Sequence, residues 1–337
     1  MNRPLLSLAW LLCWVTLSTT ACVPRSTLPV VLSDTEYWGL IEALSEPAGT
    51  FSLSDNLVSN EPGIAENVRK LRPSGGVYLG VGPEQNFSYI ARLRPAMAFI
   101  IDIRRENRDL HLLYKALFAL STDRVDFVSR LFSRPRPAGL MSTASVDEIF
   151  THYAGVPPSY ELYRRTATLV REWLLTTRGR PSSDQELAWI DRAFKALYAD
   201  GPEIRFWGSR EVDAVQPSYR QLMTARDALG QRRSFLATEE GFRFVKDLHA
   251  RNMIVPVVGD FGGPTAIRRV GDYVRTHGDT IHAFYGSNVG VYLTNQQTRA
   301  FCGNLATLPA ATGARFIERD SVRSLASKLK ACPSEGK

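Results

Sequence analysis

Cysteine and histidine are scarce in this sequence, with four of the first and five of the second in 337 residues. The histidines (His111, His152, His249, His277 and His282) form no His-Glu-x-x-His pair and no other ligand spacing, which removes the usual zinc signatures. No Gly-x-Ser-x-Gly elbow occurs, against a serine hydrolase built on an α/β sheet. No Gly-Lys-Ser/Thr follows a glycine-rich turn, against a nucleoside triphosphate site. Internal repeats and a lysine-rich tail are also missing. The 41 Lys+Arg against 34 Asp+Glu leave a net charge of +7, a mild preference for anionic partners or a membrane surface without a nucleic-acid signature. Apolar residues at 44% and charged residues at 22% exclude disorder, collagen and coiled coil. The length suits one large domain or two ordinary ones, at roughly 150 residues each.

Long apolar runs are absent as well, with one exception. Leu5 to Leu17 (LLSLAWLLCWVTL) is uncharged and mostly apolar, preceded by Arg3 and followed by Ser18-Thr19-Thr20-Ala21 and Cys22. A charged start, a short apolar run and a small-residue exit describe a secretory signal, too short for the ~20 residues of a spanning helix. The residues before Cys22 resemble the lipobox of bacterial lipoproteins, in which the cysteine is lipidated and becomes the new N-terminus. Thr19 stands where that pattern prefers leucine. The resemblance implies residues 1–21 as a signal peptide, lipidation at Cys22, and an exported protein anchored on the periplasmic face of a bacterial membrane. An ordinary signal cut at Ala21 and an uncleaved anchor are the alternatives. Cys302 and Cys332 are then left over, and in an oxidising compartment they are free to pair.

Along the rest of the chain, residues 22–64 read as a linker and an N-terminal helix at Asp34 to Leu44. Val77 to Val81 and Ala98 to Ile103 are short apolar runs bounded by glycine or proline, as buried strands are. Helical spacing marks Ala65 to Leu71, Asn86 to Leu93, Asp109 to Leu120 and Arg124 to Phe132. Buried strand and helix alternate over 65–133, which predicts a parallel α/β sheet. From 134 to 232 strand signals vanish, and helices at Tyr160 to Thr176 and Asp184 to Tyr198 suggest a helical insertion covering the sheet near Asp102. Over 233–337 the alternation resumes. Helices are predicted at Thr238 to Ala250 and Pro264 to Thr276, and strands at Met253 to Val258, Thr280 to Tyr285 and Arg315 to Ile317. A final helix is predicted at Ser321 to Ala331.

The chemically informative stretch is Val77 to Arg105. A strand ends in Gly80-Val81-Gly82, turns through Pro83-Glu84-Gln85 into a helix, and the next strand finishes with Asp102. In doubly wound sheets ligands bind beyond the carboxyl ends of the strands, glycines allow close backbone approach, and an acid after the second strand accepts ribose hydroxyls. Gln85 occupies the place of a third glycine, so a dinucleotide pyrophosphate fits poorly. S-adenosylmethionine (SAM), with one ribose and no phosphate, suits the shorter turn. The competing reading is a glycine-bearing turn with Asp102 as a solvated strand end. Gly259-Asp260-Phe261 and Ser287-Asn288 follow the next two parallel strands and emerge at the same end of the sheet. Asp260 is a candidate for substrate binding, for a base, or for capping the helix at Pro264. Asn288 is a candidate substrate ligand or a turn residue. Arg104, Arg105 and Arg108 read as a solvated helix start, or as groups that meet an acidic substrate.

Three blocks carry a resemblance: GVYLGVGPEQNFSYIARLRP, FIIDIRRENRDLHLLYKALFALS and NMIVPVVGDFGGPTAIRRVGDYV, with FYGSNVGVYL after them. They are similar to an uncharacterised bacterial family described as having a SAM-dependent-methyltransferase-like fold, over about Tyr37 to Arg319. The resemblance implies a Rossmann-like, mostly parallel sheet of the class I methyltransferase kind with a helical insertion. It gives Gly80, Gly82 and Asp102 the nucleoside-binding roles, with SAM as cofactor and no metal. Gly-Asp-Phe at 259–261 departs from the Asp/Asn-Pro-Pro-Tyr/Phe motif by which many methyltransferases hold an amine. Two functions therefore stand at this point. One is a membrane-tethered methyltransferase-like protein of unknown acceptor. The other is a non-catalytic lipoprotein whose α/β cleft binds a metabolite or a protein.

Overall fold

The computed structural model describes residues 26–51, 56–176, 183–206 and 216–333. The leader and Cys22 lie outside the described residues. Strands β1 (Val77–Gly80), β2 (Met97–Asp102) and β3 (Ile254–Val258) are buried at every position. They are joined by β4 (Ile281–Tyr285), β5 (Ala310–Glu318) and β6 (Ser321–Ser324). The sheet runs β3-β2-β1-β4-β5-β6, parallel throughout except for β6, which is antiparallel to β5. Strand order reverses between β1 and β4, the place at which a doubly wound, Rossmann-like sheet opens a crevice beyond its carboxyl ends. Continuous apolar strands follow from this architecture, because helices cover both faces.

On the way from residue 34 to 132 the chain forms α1 (Asp34–Leu44), α2 (Ile64–Arg69), α3 (Gln85–Leu93), α4 (Arg105–Leu120) and α5 (Arg124–Phe132). Helix α1 packs on β3 and α4 on both β2 and β3. The insertion contributes α6 (Val146–Ala154), α7 (Tyr160–Thr176), α8 (Asp184–Asp200) and α9 (Tyr219–Met223). Helices α7 and α8 lie on α4 and α5, so the insertion is a further layer outside the helices. Among its described residues the only β structure is the isolated bridges Arg205↔Ser218 and Arg226↔Arg232. The chain returns to the sheet through α10 (Glu239–Ala250), α11 (Ala266–Thr276), α12 (Asn295–Ala306) and α13 (Leu325–Lys330). No helix among the described residues is long and apolar enough to cross a membrane.

Three features depart from the sequence reading. Ser321–Ser324 is a strand, not the first turn of the last helix, because the exposed edge of β5 offers it a ladder that its own four residues do not announce. Helices α6, α9 and α12 are absent from the sequence reading, although Val146, Ile149, Phe150 and Tyr153 of α6 stand at helical spacing; only α12 carries little apolar periodicity. Each opens with a capping box, from Ser145 and Glu148, Ser218 and Gln221, or Thr294 and Gln297. Helix α11 starts at Ala266, later than Pro264. Cys302 on α12 and Cys332 beyond α13 form a disulfide, which ties the end of the chain back to the sheet's outer helix.

Candidate functional site

Four strand ends converge on one cavity of about 250 Å³ at the switch point. Val81 and Gly82 follow β1, Asp102 to Arg104 end β2, Gly259 to Phe261 follow β3, and Ser287 and Asn288 follow β4. The described stretches Ser45 to Phe51 and Asn56 to Glu61 lie against these ends. Glu46 N–H donates to Val258 O at 2.8 Å and Gly49 N–H to Ile103 O at 2.8 Å. Ser59 N–H donates to both carboxyl oxygens of Glu84, at 3.1 and 3.2 Å. Ser287 Oγ–H donates to Glu61 Oε1. The stretch read as a linker is thus a wall of the cavity, contributing Thr50, Phe51, Asn56, Ser59, Asn60 and Glu61.

Beneath this wall the turn after β1 is fastened from inside. Asn86, fully buried, donates through Nδ2 to Val81 O (2.9 Å), Gly82 O (3.1 Å) and Pro83 O (2.8 Å), while its Oδ1 accepts from Tyr78 Oη at 2.8 Å. A Cβ on Gly80 would sit 1.9 Å from Asn86 Oδ1. Gly80 therefore makes room for the asparagine and is not among the residues that line the cavity. Gly82 does line it, at φ +76°, a left-handed conformation that a side chain strains, and a Cβ there would meet Gln85 Nε2 at 2.9 Å. Gly82 O also lies 2.9 Å from His111 Nε2. Burial drives the His111 pKa down to about 4, so the ring is neutral and Nε2–H donates. Burial likewise raises Glu84, at the N-terminus of α3, to about 7 against the Ser59 hydrogen bonds.

Asp102 lines the cavity but is not a solvated strand end, being 5% exposed. Its Oδ1 accepts from Arg104 N–H and Nε–H, and its Oδ2 from Arg104 Nη2, all at 3.0 Å. Arg104 Nη2 also lies 3.3 Å from the Asn56 side-chain amide. The solvated reading of the arginine run holds for Arg105. It fails for Arg104, which is buried with Asp102, and for Arg108, which pairs with Asp109 and Glu186. A carboxylate oxygen accepts about two hydrogen bonds. Oδ1 is filled and Oδ2 retains one place, so Asp102 has room for one ribose hydroxyl and not two.

Asp260 also lines the cavity, yet it does not cap α11. Its Oδ1 accepts from Gly262 N–H at 2.9 Å, and its Oδ2 faces Gln297 Nε2 at 3.5 Å. The cap is Glu46, whose Oε1 accepts from Thr265 N–H (2.6 Å), Ala266 N–H (2.7 Å) and Thr265 Oγ–H (3.0 Å). Asn288 reaches Tyr292 Oη at 3.4 Å and accepts from Ser287 Oγ at 3.2 Å. The edge-to-face pair of Phe51 and Tyr292, with centroids 5.1 Å apart, and Phe206 add aromatic surface to the cavity lining. Phe206 is the one described insertion residue in that lining.

Glu61, overlooked in the sequence, completes the site together with Gln85 and Ser287. Glu61 is 2% exposed; burial raises its carboxyl pKa, while Ser287 and Tyr285 oppose the shift. Gln85 Nε2 bridges Val81 O and Tyr285 Oη, both at 3.2 Å. Ser287 takes φ +49°, an uncommon conformation for a non-glycine residue. Gln85 was visible as the missing third glycine. Glu61 has no local signal, because only the wall segment's path brings it to β4. Among the described residues no group of three or more His, Cys, Asp or Glu is placed to hold a metal ion.

Residues 56–149 and 158–325 match the family described as Domain of unknown function (DUF7790). The chain belongs to that family. No curated protein matches it significantly. The DUF7790 match spans all six strands of the sheet, and it includes Glu61, Gly82, Asp102, Asp260 and Ser287.

Proposed function

We propose that the cavity binds a nucleoside-type ligand of the SAM class and that the protein is a membrane-tethered, methyltransferase-like member of its family. The observation that carries this reading is the meeting of the left-handed Gly82 turn and the Asp102 carboxylate on one cavity at the switch point. The fit is favourable in three respects. Gly82 lets the backbone come close to a ligand, Asp102 Oδ2 retains one acceptor place, and Phe51, Tyr292 and Phe206 offer apolar surface to a base. When bound, SAM supplies an already activated methyl group, so the protein's task is alignment and exclusion of water. Asp260 or Glu61 then takes the proton that the acceptor loses. The tether is the lipidated Cys22, supported by the apolar run and the small residues that precede it.

The second reading, a non-catalytic binding module, is favoured by the Asp102–Arg104 pair, which occupies most of the carboxylate that a ribose needs. An exported protein also lacks an obvious supply of SAM, which is made in the cytoplasm.

Calorimetric titration with SAM and with its demethylated product tests the reading. Asp102→Asn, which keeps a partner for Arg104, is expected to weaken binding at least about tenfold through one charge-assisted bond. Gly82→Val is expected to do comparable harm. No heat and no thermal shift at millimolar ligand removes the SAM reading and leaves the binding module. Binding without transfer of a labelled methyl group points to the module as well. Labelling with a fatty acid checks the tether: equal incorporation in wild type and Cys22→Ser removes it.

A further inference from the structure

The end of the sheet opposite the cavity carries a second cleft, of about 200 Å³, between the loop before β1 and the start of β5. Lys70, Arg72, His282 and Arg315 line it together with Ser74 and Thr312. Arg72 and Arg315 have no ion-pair partner among the described residues, while Lys70 shares Glu66 with Arg69, at 3.9 Å against 2.5 Å. The other acids at this end are engaged. Asp279 accepts from Ser26 and from Thr280 N–H, and Asp34 accepts from Asn252. Asp247 and Asp272 pair with Arg251 and Arg275.

The same end receives the start of the described chain. Ser26 Oγ–H donates to Asp279 Oδ2 at 2.6 Å, Thr27 N–H to His277 O at 2.8 Å, and Leu32 N–H to Arg251 O at 3.1 Å. Residues 26–32 therefore run beneath the starts of β4 and β3. Val30 and Val31 in this segment are 75% and 58% exposed, an apolar pair beside the start of β3 at the same end of the sheet as the basic cleft. Ser26 is four residues from Cys22, and four residues span at most about 14 Å whatever their conformation.

We infer that this end of the molecule docks on an anionic phospholipid bilayer, with lipid phosphates in the Lys70–Arg72–Arg315 cleft, so that the cavity opens away from the membrane. The inference rests on the Cys22 anchor for its orientation. Charge complementarity supplies the partner: unpaired cations attract the surface of anionic lipids, and the exposed valines reach the headgroup boundary. A ligand then enters the cavity from the aqueous side, about one strand length from the lipid.

The test uses the full chain in vesicles, with one added cysteine carrying an environment-sensitive fluorophore at Thr312→Cys or, at the cavity end, at Val291→Cys. In vesicles containing phosphatidylglycerol the label at 312 is expected to be shielded from aqueous iodide and the label at 291 to stay open. Arg72→Gln and Arg315→Gln should each lower the docked-to-undocked ratio about fivefold, the effect of one surface cation. Fatty-acid incorporation at Cys22 is scored on the same preparations. Incorporation with both positions equally quenched overturns the docking and leaves the anchor. Shielding at 312 without incorporation supports the surface and overturns the anchor. Shielding at 291 overturns the orientation.

Discussion

The two ends of the sheet are built differently. At the carboxyl end each loop is fastened by a buried or half-buried polar side chain: Asn86 under the β1 turn, Arg104 on Asp102, Glu46 across the β3–α11 loop, and Ser287 on Glu61. At the amino end Asn252 holds Leu32 O and Asp34, and Arg92 holds Leu71 O, but the exposed cations Arg72 and Arg315 have no ion-pair partner among the described residues. Buried polar groups cost desolvation unless every partner is in place, and they fix geometry when it is. Their concentration at one end marks where shape has to be held. The loose charges at the other end mark a surface that meets a partner without a fixed shape.

The strongest way to break the contrast is Asn86→Leu. It strands three carbonyls and Tyr78 Oη, and a loss of about 3–5 kcal/mol is expected in urea unfolding, at one or more kcal/mol per buried orphan. Next is the pH response of Glu84. Its folded pKa of about 7 lies above the 4.5 of the free side chain, so the folded chain holds the extra proton between those values. The stabilisation is complete below pH 4.5 and is lost as pH rises through 7. Glu84→Gln should match wild type in acid and exceed it at pH 8 by on the order of 3 kcal/mol, read from denaturant midpoints. Glu46→Ala removes the cap of α11 and should cost about 1–2 kcal/mol, with enhanced amide exchange at Thr265 and Ala266. Smallest is Arg72→Gln at the other end, with a stability change under about 0.5 kcal/mol. A large loss there would erase the distinction between the two ends.

The sheet was legible in the sequence because its first four strands are buried on both faces and read as apolar runs between glycines and prolines. The fifth strand was located only by its inner half, Arg315 to Ile317, since 310–313 is exposed and alternates poorly. Helix α12 hid behind polar sequence, while α6 was passed over although both its apolar spacing and its capping box were readable. In the site, Gly82, Asp102, Asp260 and Asn288 were placed correctly on one cavity by reasoning from strand ends. What sequence alone left out is what distant segments do to those groups. Arg104 turns back onto Asp102, Asn86 takes the space beside Gly80, and residues 45–51 and 56–61 wall the cavity. Each of these depends on a path through space, and no local pattern records it.

The interrupted order of the sheet has a consequence for how the chain is made. Strands β1 and β2 pair across only 20 residues, Val77 with Met97. The next partner of β2 is β3, 156 residues on at Ala98↔Ile254, and the other partner of β1 is β4, at Val77↔Ile281. At about 5–20 residues per second of synthesis, a two-stranded ribbon, apolar but for Asp102 at its end, waits roughly 8–30 s with both edges open while the insertion is produced. Non-local pairing of this kind is slow, and open apolar edges invite association with other chains. The insertion's docking on α4 and α5 then gains a second meaning: it assembles while the ribbon is still waiting, and it holds α4 in the position from which β3 is received.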